Sequence, residues 1–166
     1  MSAEHTLREI LSPTPLMANH NLSKDYDAEV MLKREDLQMV RSYKIRGAYN
    51  MIRSLSEEQT ARGIVCASAG NHAQGVALAA QKNGIKAVIC LPDGAPISKV
   101  EATKSYGAEV VMVKGVYDDA YNHALKLRDE MGYTFVHPFD DENVIAGQGT
   151  IGLELLNQCG DLDAVV

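Results

Sequence analysis

Four short apolar runs recur through the middle of the chain: Ile64-Val65-Cys66-Ala67, Ala87-Val88-Ile89-Cys90-Leu91, Val110-Val111-Met112-Val113 and Thr134-Phe135-Val136. Their first residues step by 23, 23 and 24 positions, and each gap holds a segment with helical spacing. A strand, a helix and two tight turns fill such an interval. Because the runs are apolar throughout and do not alternate, they predict strands buried on both faces. The fold class that follows is α/β, an open parallel sheet of about four strands with helices on both faces. Gly84, Gly107 and Gly132 each follow a helical segment, where a left-handed C-cap residue is wanted. The predicted helix over 71–82 is rich in alanine (Ala73, Ala77, Ala79, Ala80), so it can lie close to the sheet.

The flanks have a different character. Residues 2–11 predict a short helix closed by Ser12-Pro13-Thr14-Pro15, since proline cannot continue a helix and forces an extended path. Residues 22–26 predict a helical turn or two, and Glu29 to Lys33 a strand. The charged cluster Lys33-Arg34-Glu35-Asp36 reads as a solvated loop, or else as a device that positions the segment after it. Over 44–55, Ile45, Ala48, Tyr49, Ile52 and Leu55 fall at helical spacing, with Lys44 near the edge of the buried face. A last helix is expected from Thr150 to Gln158, ended by Gly160, with a strand beginning at Ala164-Val165-Val166. These patterns divide the chain into 48–145, a small α/β unit, and residues 1–47 and 146–166, parts of a second, incomplete domain whose remainder would follow Val166.

Composition removes several function classes. The 166 residues carry 16 Lys plus Arg against 22 Asp plus Glu, and no basic run interleaves with aromatics, which argues against nucleic acid or an anionic membrane as partner. Cys66, Cys90 and Cys159 are widely spaced, the first two inside apolar runs. They read as buried thiols of a reducing, cytoplasmic compartment. His5, His20, His72, His123 and His137 are scattered without metal-ligand spacing, so no metal site is expected. The N-terminus lacks an apolar signal core and no segment approaches membrane-spanning length. Asn21-Leu22-Ser23 matches a glycosylation sequon that would stand idle in a cytosolic chain.

Candidate chemistry centres on Ser42-Tyr43-Lys44-Ile45-Arg46-Gly47-Ala48. A lysine early in a helix is ordinarily a solvated surface group. A lysine that forms a Schiff base needs its cation disfavoured by burial, a neighbouring positive charge or a helix N-terminus. Ser42 fits the N-cap position, placing Lys44 in the first turn near the positive end of the dipole, and Arg46 adds a second cation. In an open parallel sheet, ligands bind beyond the carboxyl ends of the strands. The first such loop is Ser68-Ala69-Gly70-Asn71-His72, whose hydroxyl, glycine and helix N-terminus suit a carboxylate or phosphate, though a plain capped turn fits equally. His72, in a first helical turn, reads as a hydrogen-bonded packing residue. His137, at the end of the fourth strand, has no obvious partner. Gly147-Gln148-Gly149-Thr150-Ile151-Gly152 matches the dinucleotide pattern G-x-G-x-x-G, but it does not follow a strand directly and lacks its acidic residue. These glycines are expected instead to let a helix start pack closely at a domain junction, or to face a ligand there.

Ser42 to Ala48, followed 24 residues after Lys44 by Ser68-Ala69-Gly70-Asn71-His72-Ala73-Gln74-Gly75, resembles the second fold type of pyridoxal-phosphate enzymes. The branch it is similar to is that of threonine dehydratase (threonine ammonia-lyase) and serine racemase. Leu32-Lys33-Arg34-Glu35-Asp36-Leu37-Gln38 and Ala146-Gly147-Gln148-Gly149-Thr150 fit the same family. The resemblance covers nearly the whole chain, and it favours the biosynthetic, isoleucine-pathway type over the sulfhydrylase branch. It implies that Lys44 carries pyridoxal 5'-phosphate as a Schiff base and later removes the substrate α-proton. It implies that Asn71 hydrogen-bonds the ring's phenolic oxygen and that Ser68, Ala69, Gly70, Asn71 and His72 grip the substrate carboxylate. The reaction implied is deamination of L-threonine to 2-oxobutanoate and ammonia by a homo-oligomer of the full-length protein. Serine racemase or serine dehydratase, and a folded non-catalytic fragment, are the alternatives. The family's phosphate-binding glycine-rich loop and its pyridine-nitrogen contact are expected beyond Val166, so the chain alone is expected to bind the cofactor poorly.

Overall fold

A computed structural model describes residues 2–166. In chain order the elements are α1 (Ala3–Leu7), β1 (Leu16–Ala18), α2 (His20–Tyr26), β2 (Met31–Lys33), a 3-10 turn (Glu35–Leu37), α3 (Lys44–Arg53), α4 (Glu57–Arg62), β3 (Ile64–Ala67), α5 (Asn71–Asn83), β4 (Ala87–Pro92), α6 (Ile97–Ser105), β5 (Glu109–Val113), α7 (Tyr117–Met131), β6 (Thr134–Phe135) and α8 (Glu142–Gln158). The four strands read from the apolar runs form one sheet of order β5-β4-β3-β6. Every pairing in it is parallel, with Val65 beside both Val88 and Phe135. Alternation along the buried strands splits their side chains between two cores. Ile64, Cys66, Ile89 and Leu91 pack with α3 and α5 residues such as Ile52, Val76 and Ala80. Val65, Ala67, Val88 and Cys90 pack with Ala120 and Ala124 of α7 and with Tyr133. Both faces of the sheet are thus covered, as apolar-throughout strands require.

Local chemistry sets the element ends. Ser56 and Gln59 form a capping box at α4, and Asp141 accepts from the amides of Asn143 and Val144 at the start of α8. Gly84 and Gly132 close α5 and α7 in the left-handed conformation, with φ of 65° and 72°, a region glycine enters without steric cost. Gly107, also at positive φ, lies one residue past the C-cap Tyr106 of α6.

The strand order places the site. The chain proceeds outward from β3 through β4 to β5, then returns to lay β6 on the other side of β3. Loops leaving β3 and β6 therefore lie side by side at the carboxyl ends of the strands, the end at which open α/β sheets bind ligands.

Several expectations give way. Helix α8 begins at Glu142, eight residues before Thr150, because Asp141 caps it there. The glycines of the G-x-G-x-x-G match therefore lie inside a helix. No strand forms at 164–166, where no neighbouring strand pairs with it. Leu16–Ala18, unread in the sequence because it is so short, pairs antiparallel with Met31–Lys33. Helices α3 and α8 span positions 47/48 and 145/146, so each runs from one expected part of the chain into the other. The charged cluster is divided: Glu35 and Lys33 are drawn inward to ion pairs with Arg46 and Glu154, while Arg34 and Asp36 pair with each other at the surface.

Candidate active site around Lys44

Helix α3 is held between α5 and α8 at close backbone approaches made through glycines. A Cβ on Gly75 of α5 would stand 3.1 Å from the Lys44 carbonyl carbon and oxygen. One on Gly147 of α8 would stand 2.6 Å from the Arg46 carbonyl oxygen and from Gly47 Cα. Gly147 thus owes its place to a backbone crossing, while Gly149, two residues on, lines the cleft beside Lys44. Of the motif's three glycines, Gly147 takes the expected close packing, Gly149 borders the cleft and Gly152 meets nothing within 4 Å.

Lys44 opens α3, but Ser42 does not cap it. The N-cap is Tyr43, whose side chain makes no capping bond, and the Ser42 hydroxyl is buried without a partner. The first turn takes an acceptor from α8 instead: Gln148 Oε1 accepts from the Gly47 amide at 3.2 Å. The side chain of Lys44 enters an open cleft of about 510 Å³ lined by Tyr43, Pro138, Phe139, Val144, Gln148 and Gly149 among others. Its Nζ donates to the Pro138 carbonyl at 2.9 Å and stands 4.4 Å from the centre of the Phe139 ring. Burial lowers the Lys44 pKa from its ordinary 10.5. Arg46, expected to help by its charge, is neutralised by Glu35 and Glu154, so burial alone is the cause.

Pro138 and Phe139 escaped the sequence reading, although their position just past the fourth strand was the available signal. His137 holds them in place. Its Nδ1 accepts from the amides of Phe139 at 3.1 Å and Asp140 at 2.7 Å, which supplies the partner the sequence did not reveal.

The loop after β3 does not line the Lys44 cleft. Ser68 Oγ accepts from the Gly70 amide at 3.2 Å, a local turn. No side chain caps α5, so its leading amides are open to an anion. Ala69 and Gly70 are half-buried. Asn71 is exposed, and its Oδ1 accepts from Lys99 at 3.1 Å, a cation on α6 that the sequence did not single out. The His72 ring is a packing group, as its place in the first turn suggested: it is buried, with Nε2 3.1 Å from the Val136 carbonyl. Burial pushes its pKa down to about 4, against a smaller opposing effect of the Val136 bond. The ring is therefore neutral, its Nε2 proton directed to Val136. Any contact of His72 with a carboxylate would come from its backbone.

Among the described residues, four buried side-chain polar atoms lack a partner: Ser42 Oγ, His72 Nδ1, Gln74 Nε2 and Gln148 Nε2. Buried polar atoms are ordinarily paired. All four belong to the segments that meet at Lys44, one just before it, two on α5 with Gly75 and one on the cleft wall. An incomplete polar shell and an amine biased toward its neutral form fit a polar cofactor that condenses with an amine. No cluster of three or more His, Cys, Asp or Glu able to hold a metal occurs among the described residues, and no helix there is long and apolar enough to cross a membrane.

The chain belongs to the pyridoxal-phosphate-dependent enzymes: the family model described as "Pyridoxal-phosphate dependent enzyme" matches residues 7–166. Pyridoxal 5'-phosphate is the cofactor of that family, and Lys44 with its orphaned polar neighbours fits it. Within the family, the chain is 51% identical over 164 residues to the L-threonine ammonia-lyase of Thermotoga maritima, covering 99% of this chain and 41% of the relative. It is 44% identical over 160 residues to the biosynthetic L-threonine dehydratase of Bacillus subtilis, covering 95% and 38%. Among solved structures it superposes on the processed form of threonine deaminase isoform 2 from Solanum lycopersicum with a TM-score of 0.91 at 42% identity, covering 96% of this chain and 47% of that one. Maize serine racemase gives a TM-score of 0.93 at 36% identity, with 97% and 49% covered. The chain spans about 40% of the length of the curated relatives it matches.

Proposed function

We propose that the full-length protein carrying this chain deaminates L-threonine to 2-oxobutanoate and ammonia, with Lys44 as its reactive amine. The observation that carries the reading is Lys44 itself, a lysine biased toward its neutral form by burial in a cleft beside the segment that leaves β6, in a sequence 51% identical to an L-threonine ammonia-lyase. When bound, pyridoxal phosphate supplies an aldehyde that condenses with amines and a ring that accepts the electron pair released at the substrate Cα. Lys44 contributes the amine that holds the cofactor and the base that takes the α-proton, and burial shifts that amine toward its neutral form. The Pro138 carbonyl and the Phe139 ring orient Nζ. The open amides at the start of α5, with Lys99 nearby, suit the substrate carboxylate. Asn71 is suited to a phenolic oxygen through its amide nitrogen, Oδ1 being held by Lys99.

This reading includes a place at the first step of isoleucine synthesis, in the cytoplasm, in a homo-oligomer whose larger domain includes residues 1–47 and 146–166. Racemisation of serine is the second reading, favoured by the superposition on maize serine racemase. The deciding experiment supplies L-threonine and L-serine to the full-length protein. Formation of 2-oxobutanoate from threonine, lost by a factor of about 10²–10⁴ in Lys44→Ala, is the expected result. D-serine from L-serine without 2-oxobutanoate from threonine would replace the first reading with the second.

A further inference from the structure

Arg46 is 1% exposed, and its guanidinium uses all five of its N–H donors. Nε and Nη2 donate to Glu35 at 2.9 and 2.7 Å. Nη1 and Nη2 donate to Glu154 at 2.7 and 3.0 Å, and Nη1 also reaches Thr150 Oγ1 at 3.1 Å. Two carboxylates thus grip the planar group from two sides, a geometry a lysine cannot reproduce.

Each carboxylate is itself tied down. Thr14 Oγ1 donates to Glu35 at 2.6 Å. Lys33 Nζ donates to Glu154 and also to the Thr14 carbonyl at 2.7 Å and Gln158 Oε1 at 2.9 Å. Burial disfavours the charges of Glu35 and Glu154, yet the bonds from Arg46, with those from Thr14 and Lys33, hold both carboxyls below their ordinary range. Burial likewise opposes the Arg46 cation, and its two carboxylate partners outweigh it. The cluster joins β2, the 3-10 turn, α3 and α8, segments far apart in sequence.

Buried ion pairs are weak evidence of stability, because desolvation offsets the attraction. What such a cluster fixes is geometry. At about 100° per residue, Arg46 leaves α3 roughly opposite to Lys44 on the same turn. The clamp therefore holds the back of the turn whose front presents the amine to the cleft.

We propose that Arg46 is a positioning residue for Lys44: its five-bond clamp on Glu35, Glu154 and Thr150 fixes the rotation and height of the first turn of α3. The location of Nζ beneath Phe139 follows from that setting. This inference rests on the reading of Lys44 as the reactive amine, and its test separates the two.

In the full-length protein, Arg46→Lys and the milder Thr150→Val are compared with Val88→Ala, a destabilised control on the sheet face away from α3. Reductive ¹³C-methylation of cofactor-free protein gives Lys44 an NMR signal, assigned by its absence in Lys44→Arg, that senses the Phe139 ring. The signal is expected to move in Arg46→Lys, to move less in Thr150→Val and to stay in Val88→Ala. Threonine turnover in Arg46→Lys is expected to lose on the order of 100-fold in kcat with KM changed less than about three-fold. An unmoved Lys44 signal in folded Arg46→Lys overturns the proposal, as does an equal kcat loss in Val88→Ala. Should Arg46→Lys fail to fold, an unmoved signal in Thr150→Val overturns it. A moved signal in a protein whose wild type never turns over threonine upholds the positioning and removes the functional reading instead.

Discussion

Lys44 and Pro138 lie 94 positions apart, and the amine of the first donates to the carbonyl of the second at 2.9 Å. The contact exists because β6 returns to the side of β3 opposite β4, which brings the segment after β6 over the first turn of α3. Pro138 lacks an N–H, yet its carbonyl remains a full acceptor, and the His137 turn aims it.

The Lys44 cation is favoured by that carbonyl and by the Phe139 ring, yet burial prevails and lowers its pKa. An unfolded chain keeps the proton up to about 10.5, so between the lowered native value and 10.5 the unfolded state binds more protons. Stability contributed by this group therefore rises with pH across that window. An NMR titration of ¹³C-methylated, cofactor-free protein should place the Lys44 midpoint below 10.5; a midpoint at or above it contradicts the burial argument.

His72 works in the same direction at lower pH. Its native value of about 4 lies below its ordinary 6.5, so the unfolded state takes up the proton first. Stability from this group is whole above 6.5 and lost as pH falls through 6.5 toward 4. Urea unfolding at a series of pH values in that range should show a slope approaching one proton, and His72→Gln should flatten it. An unchanged slope in that variant would assign the acid sensitivity elsewhere.

The glycines of α8 separate packing from helix propensity. Gly147→Ala drives a methyl to 2.6 Å from the α3 backbone, and a loss of about 1–3 kcal/mol is expected for such overpacking. Gly152 meets nothing within 4 Å, so Gly152→Ala should gain about 0.5–1 kcal/mol from the helix alone. Denaturant midpoints of the two variants should move in opposite directions. Equal destabilisation by both would contradict the assigned crossing.

His137 caps the Pro138–Phe139 turn through Nδ1. His137→Leu should speed hydrogen exchange at the Phe139 and Asp140 amides by about five- to ten-fold, equivalent to one lost hydrogen bond of roughly 1 kcal/mol. His137→Asn, whose side-chain oxygen can accept from the same amides, should restore much of the protection. Unaltered exchange in His137→Leu would remove the turn-holding role.

The sheet was legible because its signals are local and repeated. Residues 64–67, 87–91, 110–113 and 134–136 are apolar at nearly constant spacing, and nothing but buried parallel strands separated by helices satisfies that pattern. Lys44 was legible for a related reason: the helix start and the loop 24 residues later form a compact pair of motifs. Pro138 and Phe139 were not, since a backbone carbonyl leaves no mark in the residue type and an aromatic beside a strand end is commonplace. Ser42 is a preferred N-cap residue type but caps nothing here, because the acceptor for the first turn comes from Gln148, 101 positions away from its Gly47 donor.

By itself, then, the sequence determined the α/β class, the four strands, Lys44 as the candidate lysine and the resemblance that led to the family, all consequences of short-range periodicity and clustered motifs. Tertiary structure alone decided that β6 flanks β3, that Arg46 is held from both sides by Glu35 and Glu154 rather than lending its charge to Lys44, and that Gly147 is a crossing point while Gly149 faces the cleft. Those outcomes depend on which distant backbones approach each other, and steric contact and charge pairing across a hundred residues are properties of the packed chain, not of any window along it.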